Sequence, residues 1–273
     1  MRARQSGLTL VELMVAMGLG LLLTVVIAQI FIGTRSSYAT QEESARMQEN
    51  ARFALQLLER ELRMAGFKKN GSTGAFDAAN PALGAADGGG LNASDELTVR
   101  YFGSENPANT APDGTVSNCI GEKASLNEGV VDVFYVATAP NGEPALFCRS
   151  RQPAAPVAPP KETELVTGVE SLQILFGEDT NGDRTVDRYL PRGDAALNMD
   201  NVIALRISLL MRSERPVATE ADARKYNHFG PSYAPGDVPP AVDPGAVFNA
   251  AGAQLDRRLR RIYQTTVALR NRL

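Results

Sequence analysis

The chain has 273 residues, a formal net charge of −3, two cysteines, one histidine (His228) and no tryptophan. This acidity argues against nucleic acid as the main partner, because phosphate binding requires clustered positive charge. The sequence also shows no Ser-His-Asp order, no phosphate-binding glycine loop and no paired metal-ligand motif. Composition and motifs together therefore do not predict an enzyme.

The N-terminus combines a short basic leader with a long apolar run. The leader, residues 1–7, carries Arg2 and Arg4 and lacks the apolar stretch of roughly 7–15 residues that ordinary secretory signal peptides contain. The twenty residues from Leu13 to Ile32 carry no charge, and as a helix they would span about 30 Å, the thickness of a bilayer core. We therefore predict a single membrane span over residues 13–32.

Glu12 stands directly before this apolar run. An ionised carboxylate near hydrocarbon costs several kcal/mol unless a partner neutralises it. Glu12 could lie among lipid headgroups in an uncleaved anchor. Alternatively, it could find a cationic partner when the helix packs against other helices.

The segment Ser6–Ile32, SGLTLVELMVAMGLGLLLTVVIAQIFI, resembles the class III signal of type IV pilins and type II secretion pseudopilins. The resemblance implies that prepilin peptidase cleaves after Gly7 on the cytoplasmic side and methylates Leu8, a position where Phe is usual. It also implies that Glu12 pairs with the terminal ammonium of a neighbouring subunit and sets the register of assembly. Cleavage would leave 266 residues with a formal charge of −5.

Residues 33–66 contain no proline and predict that the helix continues beyond the membrane, so that one helix covers residues 8–66. Apolar residues recur with helical spacing on one face: Ala51, Ala54, Leu55, Leu58, Leu62 and Ala65. The other face is charged and is expected to be solvated: Glu42, Glu43, Arg46, Glu49, Arg52, Glu59, Arg60, Glu61 and Arg63. Gly66 is a suitable end, because glycine accepts the left-handed cap conformation. Gly18 and Gly20 indicate either close helix packing or a bend.

The remaining residues, 67–273, predict one β-rich domain. Candidate strands are rich in β-branched, aromatic or alternating apolar residues: Leu97–Phe102, Val130–Thr138, Ala145–Arg149, Leu165–Phe176, Val202–Arg212 and Ile262–Arg270. Three segments rich in Gly, Asn or Pro are expected to be loops: Asn70–Ser94, Pro153–Pro160 and Pro216–Gly245. We expect an α+β, type IV pilin-like fold, in which an antiparallel sheet packs on the exposed half of the long helix.

Cys119 and Cys148 are the only cysteines. In an oxidising periplasm, a single disulfide is expected between them, worth about 2–4 kcal/mol. The alternative is a pair of buried free thiols. A metal site would need more Cys or His than the chain offers nearby.

Further stretches resemble the PilW family of type IV minor pilins: Ala51–Phe67, Val169–Tyr189, Val202–Arg212 and Val267–Arg272. Many PilW-like sequences carry a cysteine shortly after the helix, and Lys68–Gly71 lacks it. The resemblance implies a structural protein of the inner membrane with its β-rich domain in the periplasm. It would join other minor pilins and the major pilin on the inner-membrane assembly platform, prime the pilus and lie at its tip.

Two alternatives to this function remain open. One is a GspJ-like minor pseudopilin of a type II secretion system, which shares the anchor and the broad fold. The other is a tip adhesin or adaptor, in which the loops at Asn70–Ser94 and Pro216–Gly245 display a binding surface.

The PilW-like block contains an acidic loop, Asp179–Asp187. Asp179, Asn181, Asp183 and Asp187 stand at positions one, three, five and nine, as in a calcium loop, and the Thr185 carbonyl could complete the set. Arg184 replaces the usual glycine at position six, and Leu190 stands where the bidentate Glu should be. The loop is either a Ca²⁺ site or a polar Asn-Gly turn that needs no metal; the resemblance itself implies no required cofactor.

Overall fold

The computed structural model describes residues 9–69, 82–106, 108, 111–127, 129–151, 161–253 and 256–272. Helix α1 covers Leu10–Met64 and is therefore about 80 Å long. Ala65 caps its C-terminus, and Gly66 follows with φ +74°, in the left-handed conformation expected at a helix end.

Antiparallel strands make up most of the rest. They are β1 (Leu83–Ala86), β2 (Glu96–Tyr101), β3 (Val130–Thr138), β4 (Pro144–Arg151), β5 (Lys161–Thr167), β6 (Val169–Glu178), β7 (Arg188–Leu190), β8 (Val202–Arg212), β9 (Lys225–Asn227), β10 (Val247–Asn249) and β11 (Arg260–Ala268). One sheet has the order β1-β2-β3-β4-β5, a second has the order β11-β8-β6-β7, and β9 pairs with β10. A short helix, α2, covers Ala250–Ala253. The expected α+β, pilin-like fold is confirmed, with its strands divided between sheets.

The chain passes from the first sheet to the second at Gly168. The prediction of one strand over Leu165–Phe176 was wrong, because Gly168 ends β5 and β6 starts immediately after it. Gly168 has φ +77°, and a Cβ at this position would lie 2.7 Å from the carbonyl oxygen of Arg212. The Gly168 amide donates to the Pro144 carbonyl at 2.8 Å, and its own carbonyl accepts from the Arg212 amide at 2.7 Å. This residue therefore connects β4 of one sheet to β8 of the other.

The C-terminal half of α1 lies across both sheets, with contacts to β2, β5, β8 and β11. The predicted apolar face is buried, since Ala51, Ala54, Leu58 and Leu62 are fully inaccessible. They pack in one hydrophobic core with side chains from both sheets, including Phe134, Phe176 and Leu209. A fully buried leucine contributes roughly 1.5–3 kcal/mol, so this face holds the helix on the domain.

Two glutamates on the charged face of α1 are buried, so the prediction that this face is solvated was wrong for them. Glu43 and Glu61 are each 1% exposed. Glu43 accepts hydrogen bonds from the Arg215 side chain at 2.8 Å and from the backbone amides of Glu214 and Arg215 at 3.1 and 3.2 Å. These partners lie just after β8, so they are distant in sequence and could not be inferred from the helical pattern.

Two of the predicted loops contain strands or buried residues. Strand β1 lies inside Asn70–Ser94, whereas residues 70–81 and all of Pro153–Pro160 fall outside the described residues. Pro216–Gly245 contains β9 and buries Asp222, His228 and Asp243. This segment is therefore packed into the domain and is not a free surface excursion.

His228 is fully buried between two serine hydroxyls. Its Nδ1 lies 2.9 Å from Ser208 Oγ, and its Nε2 lies 3.1 Å from Ser171 Oγ. Burial lowers its pKa to about 3, so the imidazole is neutral at physiological pH. The histidine joins the Pro216–Gly245 segment to the second sheet and has a structural role.

Candidate assembly site on the N-terminal helix

Thr9 and Glu12 form a reciprocal cap at the start of α1. The Glu12 amide donates to Thr9 Oγ1 at 3.3 Å, while the Thr9 amide and hydroxyl both donate to Glu12 Oε2 at 2.9 Å. Sequence reasoning missed this role of Glu12, although a Thr-x-x-Glu spacing before an apolar run is its signal. Gly7 and Leu8, the predicted cleavage and methylation residues, lie outside the described residues.

The segment that follows Glu12 presents an apolar surface that the described residues of the subunit leave exposed. The large apolar side chains from Leu10 to Ile32 are 43–75% exposed. Within the described residues, α1 is the helix long and apolar enough to cross a membrane, and its most apolar window has a mean hydropathy of 2.5 with none of it buried. Neither Gly18 nor Gly20 has another atom within 4 Å of where a Cβ would stand. The packing partners of this surface must come from outside the subunit.

The Cys119–Cys148 disulfide is present, as predicted. Cys148 lies in β4, and Cys119 lies in the long connection between β2 and β3, so the bond fastens that connection to the first sheet. Asp132 in β3 supports it, because its Oδ2 accepts from the Cys119 amide at 2.9 Å and from the Tyr101 hydroxyl at 2.7 Å. Since the sulfurs are bonded to each other, they are not thiolate ligands for a metal beside Asp132.

A second buried carboxyl, Glu61, faces this region from α1. Its Oε1 accepts from the Arg60 guanidinium, whereas its Oε2 makes no hydrogen bond with the described part of the chain. Burial raises the pKa of Glu61, and the nearby Asp132 adds to this effect. Burial also raises the pKa of Asp132. The helix therefore brings a second acid close to the one that supports the disulfide.

The acidic loop Asp179–Asp187 connects β6 to β7. The side chains that were predicted as Ca²⁺ ligands lie close together in this loop. Asp179 accepts from the amides of Gly182 at 2.6 Å and Arg184 at 2.8 Å. Asp187 accepts from the Thr180 amide at 2.7 Å, and Asp183 accepts from the Thr185 amide at 2.8 Å.

Arg184 in this loop has φ +68°, so it takes the left-handed conformation for which calcium loops use glycine at position six. Asn181, at the third position, donates from its side chain to Asp183 Oδ2 at 3.2 Å. The carboxylates thus hold the loop closed through its own amides and side chains.

A buried ionic cluster ties the second sheet to the first. Glu170 in β6 is clamped by Arg260 in β11, with Nε at 2.6 Å and Nη2 at 3.0 Å. Arg212 in β8 donates to Glu143 in the β3–β4 turn at 2.7 Å, and Arg258 reaches the same carboxylate at 2.8 Å. These pairs balance charge within the fold.

Comparison with known families decides the identity. The family model of the type IV pilus-assembly protein W matches residues 133–271, just over half of the chain. The model of the prokaryotic N-terminal methylation motif matches residues 2–28. The chain belongs to the PilW family. None of the curated proteins compared with this PilW-family chain matches it significantly.

Three solved structures are similar to this PilW-family protein at low sequence identity. A type IV-like pilin from Thermus thermophilus is 16% identical, with a TM-score of 0.48 over 83% of this chain and 97% of that one. A pseudopilin complex from the type 2 secretion system of Vibrio vulnificus gives 15% identity and a TM-score of 0.38 over 63% and 87%. A pseudopilin complex from enterotoxigenic Escherichia coli gives 17% and 0.35 over 60% and 88%.

The two family matches cover different parts of the molecule. The PilW match begins within β3 and includes the rest of the described strands, so it covers the second sheet and its ionic cluster. The methylation-motif match includes Glu12 and most of the exposed apolar surface. The protein is a type IV minor pilin, a structural subunit rather than an enzyme, and the apolar helix found among the described residues fits a single-pass protein of the inner membrane.

Proposed function

We propose that this minor pilin is cleaved by prepilin peptidase after Gly7 and methylated at Leu8. The helix over residues 8–66 then holds it in the inner membrane through residues 13–32, with residues 67–273 in the periplasm. From there it joins other minor pilins and the major pilin on the inner-membrane assembly platform. The resulting complex primes the pilus and remains at its tip, on the cell surface.

The observation that carries this proposal is the exposed apolar half of α1. The large apolar side chains over more than twenty residues are 43–75% exposed in the described part of the chain, and water is a poor solvent for such a surface. A bilayer satisfies it before assembly, and the helices of neighbouring subunits satisfy it afterwards. The same surface therefore serves both stages.

In this proposal, Glu12 sets the register in which the helices of neighbouring subunits pack during assembly. Only its Oε2 is used by the Thr9 cap, so Oε1 is available to accept from an ammonium group of another subunit. After cleavage at Gly7, Thr9 and Glu12 would be the second and fifth residues of the mature chain, so the cap would survive processing. The cap fixes the carboxylate at the helix start, where a neighbouring N-terminus can reach it.

Pilus yield in a deletion strain tests the proposal. Surface pili would be sheared and quantified by immunoblot, with and without the retraction motor, alongside an assay of type II secretion. We expect pili to be lost and partly restored when retraction is absent. Normal pili with failed secretion would instead identify a GspJ-like pseudopilin, and normal pili with lost attachment would identify a tip adhesin.

Processing is tested separately by mass spectrometry of the protein from purified membranes. We expect an N-terminus at Leu8 that carries one added methyl group. A Gly7→Val variant should keep the leader, because the proposed cut follows this glycine. An intact leader on the wild-type protein would contradict the processing step.

A further inference from the structure

Three aspartates from separate segments converge near the junction of the two sheets. Asp87 follows β1, Asp95 precedes β2, and Asp243 precedes β10. Asp243 is 1% exposed and Asp95 is 4% exposed, while Asp87 is half-buried. The fold thus brings two buried carboxyl groups and one half-buried carboxyl group into the same region.

This cluster differs from the Glu170 cluster in having no cation. Among the described residues, no lysine or arginine forms an ion pair with Asp87, Asp95 or Asp243. Uncompensated buried carboxylates are unfavourable, so the cluster calls for a positive charge from outside the chain.

Two buried oxygens in this region lack a hydrogen-bond partner in the described structure. Asp243 uses Oδ2 to accept from the Tyr233 hydroxyl at 2.7 Å, whereas its Oδ1 has no partner. Gln173 is fully buried, and its Nε2 donates to the Ala93 carbonyl at 2.8 Å while its Oε1 also has no partner. Gln173 packs directly against Gly245, two residues from Asp243.

Two further oxygen atoms, from Asp87 and Val242, lie close to Gly193. A Cβ at Gly193 would lie 2.5 Å from Asp87 Oδ2 and 2.7 Å from the carbonyl oxygen of Val242. The segment after β1 also presses on this side, since a Cβ at Gly88 would lie 3.1 Å from Pro244 Cγ. A carboxylate and a carbonyl therefore converge at one glycine, directly beside Asp243.

We propose that Asp87, Asp243 and the Val242 carbonyl bind a Ca²⁺ ion. Carboxylate and carbonyl oxygens are the ligands that Ca²⁺ takes, and its variable coordination number suits a set drawn from separate loops. Asp95 is held by the amides of Gly88 at 3.2 Å and Ile174 at 2.8 Å, which fixes the loop before β2. The ion would join the segments after β1 and before β10, and this binding does not depend on the proposed role in pilus priming.

Terbium luminescence on the full-length protein in detergent, after chelator treatment, tests the site. The chain has no tryptophan, so tyrosine must transfer energy to bound Tb³⁺, and the Tyr233 hydroxyl contacts Asp243. We expect a signal that Ca²⁺ displaces with a Kd of about 10⁻⁴–10⁻³ M, as in extracellular calcium modules. Calcium should also raise the Tm of the wild-type protein.

Asp243→Asn should weaken Ca²⁺ binding at least about tenfold and remove the calcium-dependent rise in Tm, because it replaces a charged ligand with a neutral one of the same shape. Asp87→Asn, at a half-buried position, provides a second test if the first variant does not fold. Asp200→Asn is the matched control, because it removes the same charge from an exposed position outside both acidic sites. No binding at 10-fold above the expected Kd, or binding that survives both Asp243→Asn and Asp87→Asn, would overturn the proposal.

Discussion

The two halves of α1 belong to one continuous helix but have opposite surroundings. From Leu10 to Ile32, the large apolar side chains are exposed, and their partners must be lipids or other subunits. From Glu43 to Leu62, the inner face is buried against both sheets, and even two glutamates have been taken into the interior. The helix is therefore an exposed apolar surface at one end and a core element at the other.

This difference separates assembly from stability along a single helix. A substitution in the exposed half removes contacts that exist only after assembly, so it should leave the free energy of unfolding of the subunit unchanged. A substitution in the buried half removes contacts within the subunit, so it should lower that free energy before any partner is met. The following experiments can sharpen or break this division.

Glu12→Gln should produce the largest effect, a loss of incorporation into pili of at least about tenfold. The substitution keeps the shape but removes the charge, and truncating one member of a buried charge pair costs about 2–5 kcal/mol. Incorporation would be measured by immunoblot of sheared pili. Glu49→Gln is the control, since Glu49 lies on the exposed side of the same helix and pairs with Arg52. Equal incorporation of both variants would remove the register role of Glu12.

Leu58→Ala should lower the free energy of unfolding by about 2–5 kcal/mol, because it leaves a cavity in a core where Leu58 is fully buried. The measurement is urea unfolding in detergent, followed by tyrosine fluorescence. Leu21→Ala removes the same atoms from a side chain that is 69% exposed and should leave the unfolding midpoint unchanged. A matching loss in both variants would mean that the two halves of α1 are not independent.

Replacing both cysteines, Cys119→Ser with Cys148→Ser, should destabilise the domain by about 3 kcal/mol, because the bond closes a loop over 29 positions. The same urea experiment on the wild-type protein with and without reductant provides the control. If reduction leaves the unfolding midpoint in place, the connection between β2 and β3 is held by its other contacts instead.

Glu61→Gln should flatten the dependence of stability on pH. The pKa of Glu61 is raised in the folded protein, so the unfolded chain releases this proton first and stability falls as pH rises above about 4.5. Burial is the main cause of the raised pKa of Glu61; the nearby Arg60 lowers this pKa and Asp132 raises it further. Thermal unfolding between pH 4 and pH 8 would show a smaller decline for Glu61→Gln than for the wild type, and an identical decline would contradict this assignment.

The smallest effect is expected at the Asp179–Asp187 loop. The carboxylates of this loop already accept hydrogen bonds from its backbone amides. Asp183→Asn should therefore change the Tm little in the absence of metal. Calorimetry with added Ca²⁺ would then decide whether this loop also holds an ion. Heat that persists in Asp243→Asn and disappears in Asp183→Asn would assign a Ca²⁺ ion to the loop.

Local pattern was sufficient for several features of the molecule. The apolar face of α1 follows from a spacing of three and four residues, and β3 and β8 follow from runs of β-branched and aromatic residues at the predicted bounds. The single disulfide followed from there being two cysteines in an exported chain. The break at Gly168 did not, because apolar residues continue on both sides of it and only the approach of Arg212 from β8 requires the left-handed glycine.

By itself, the sequence determined the long apolar helix, the class of fold and the position of a carboxylate beside the apolar run, because each depends on local composition and period. Only the tertiary structure decided which charges are buried and what faces them. Glu43 and Arg215, Glu61 and Asp132, and Asp87 and Asp243 are all distant in sequence. The electrostatic environment of a side chain depends on the segments that fold around it, and no local pattern records those segments.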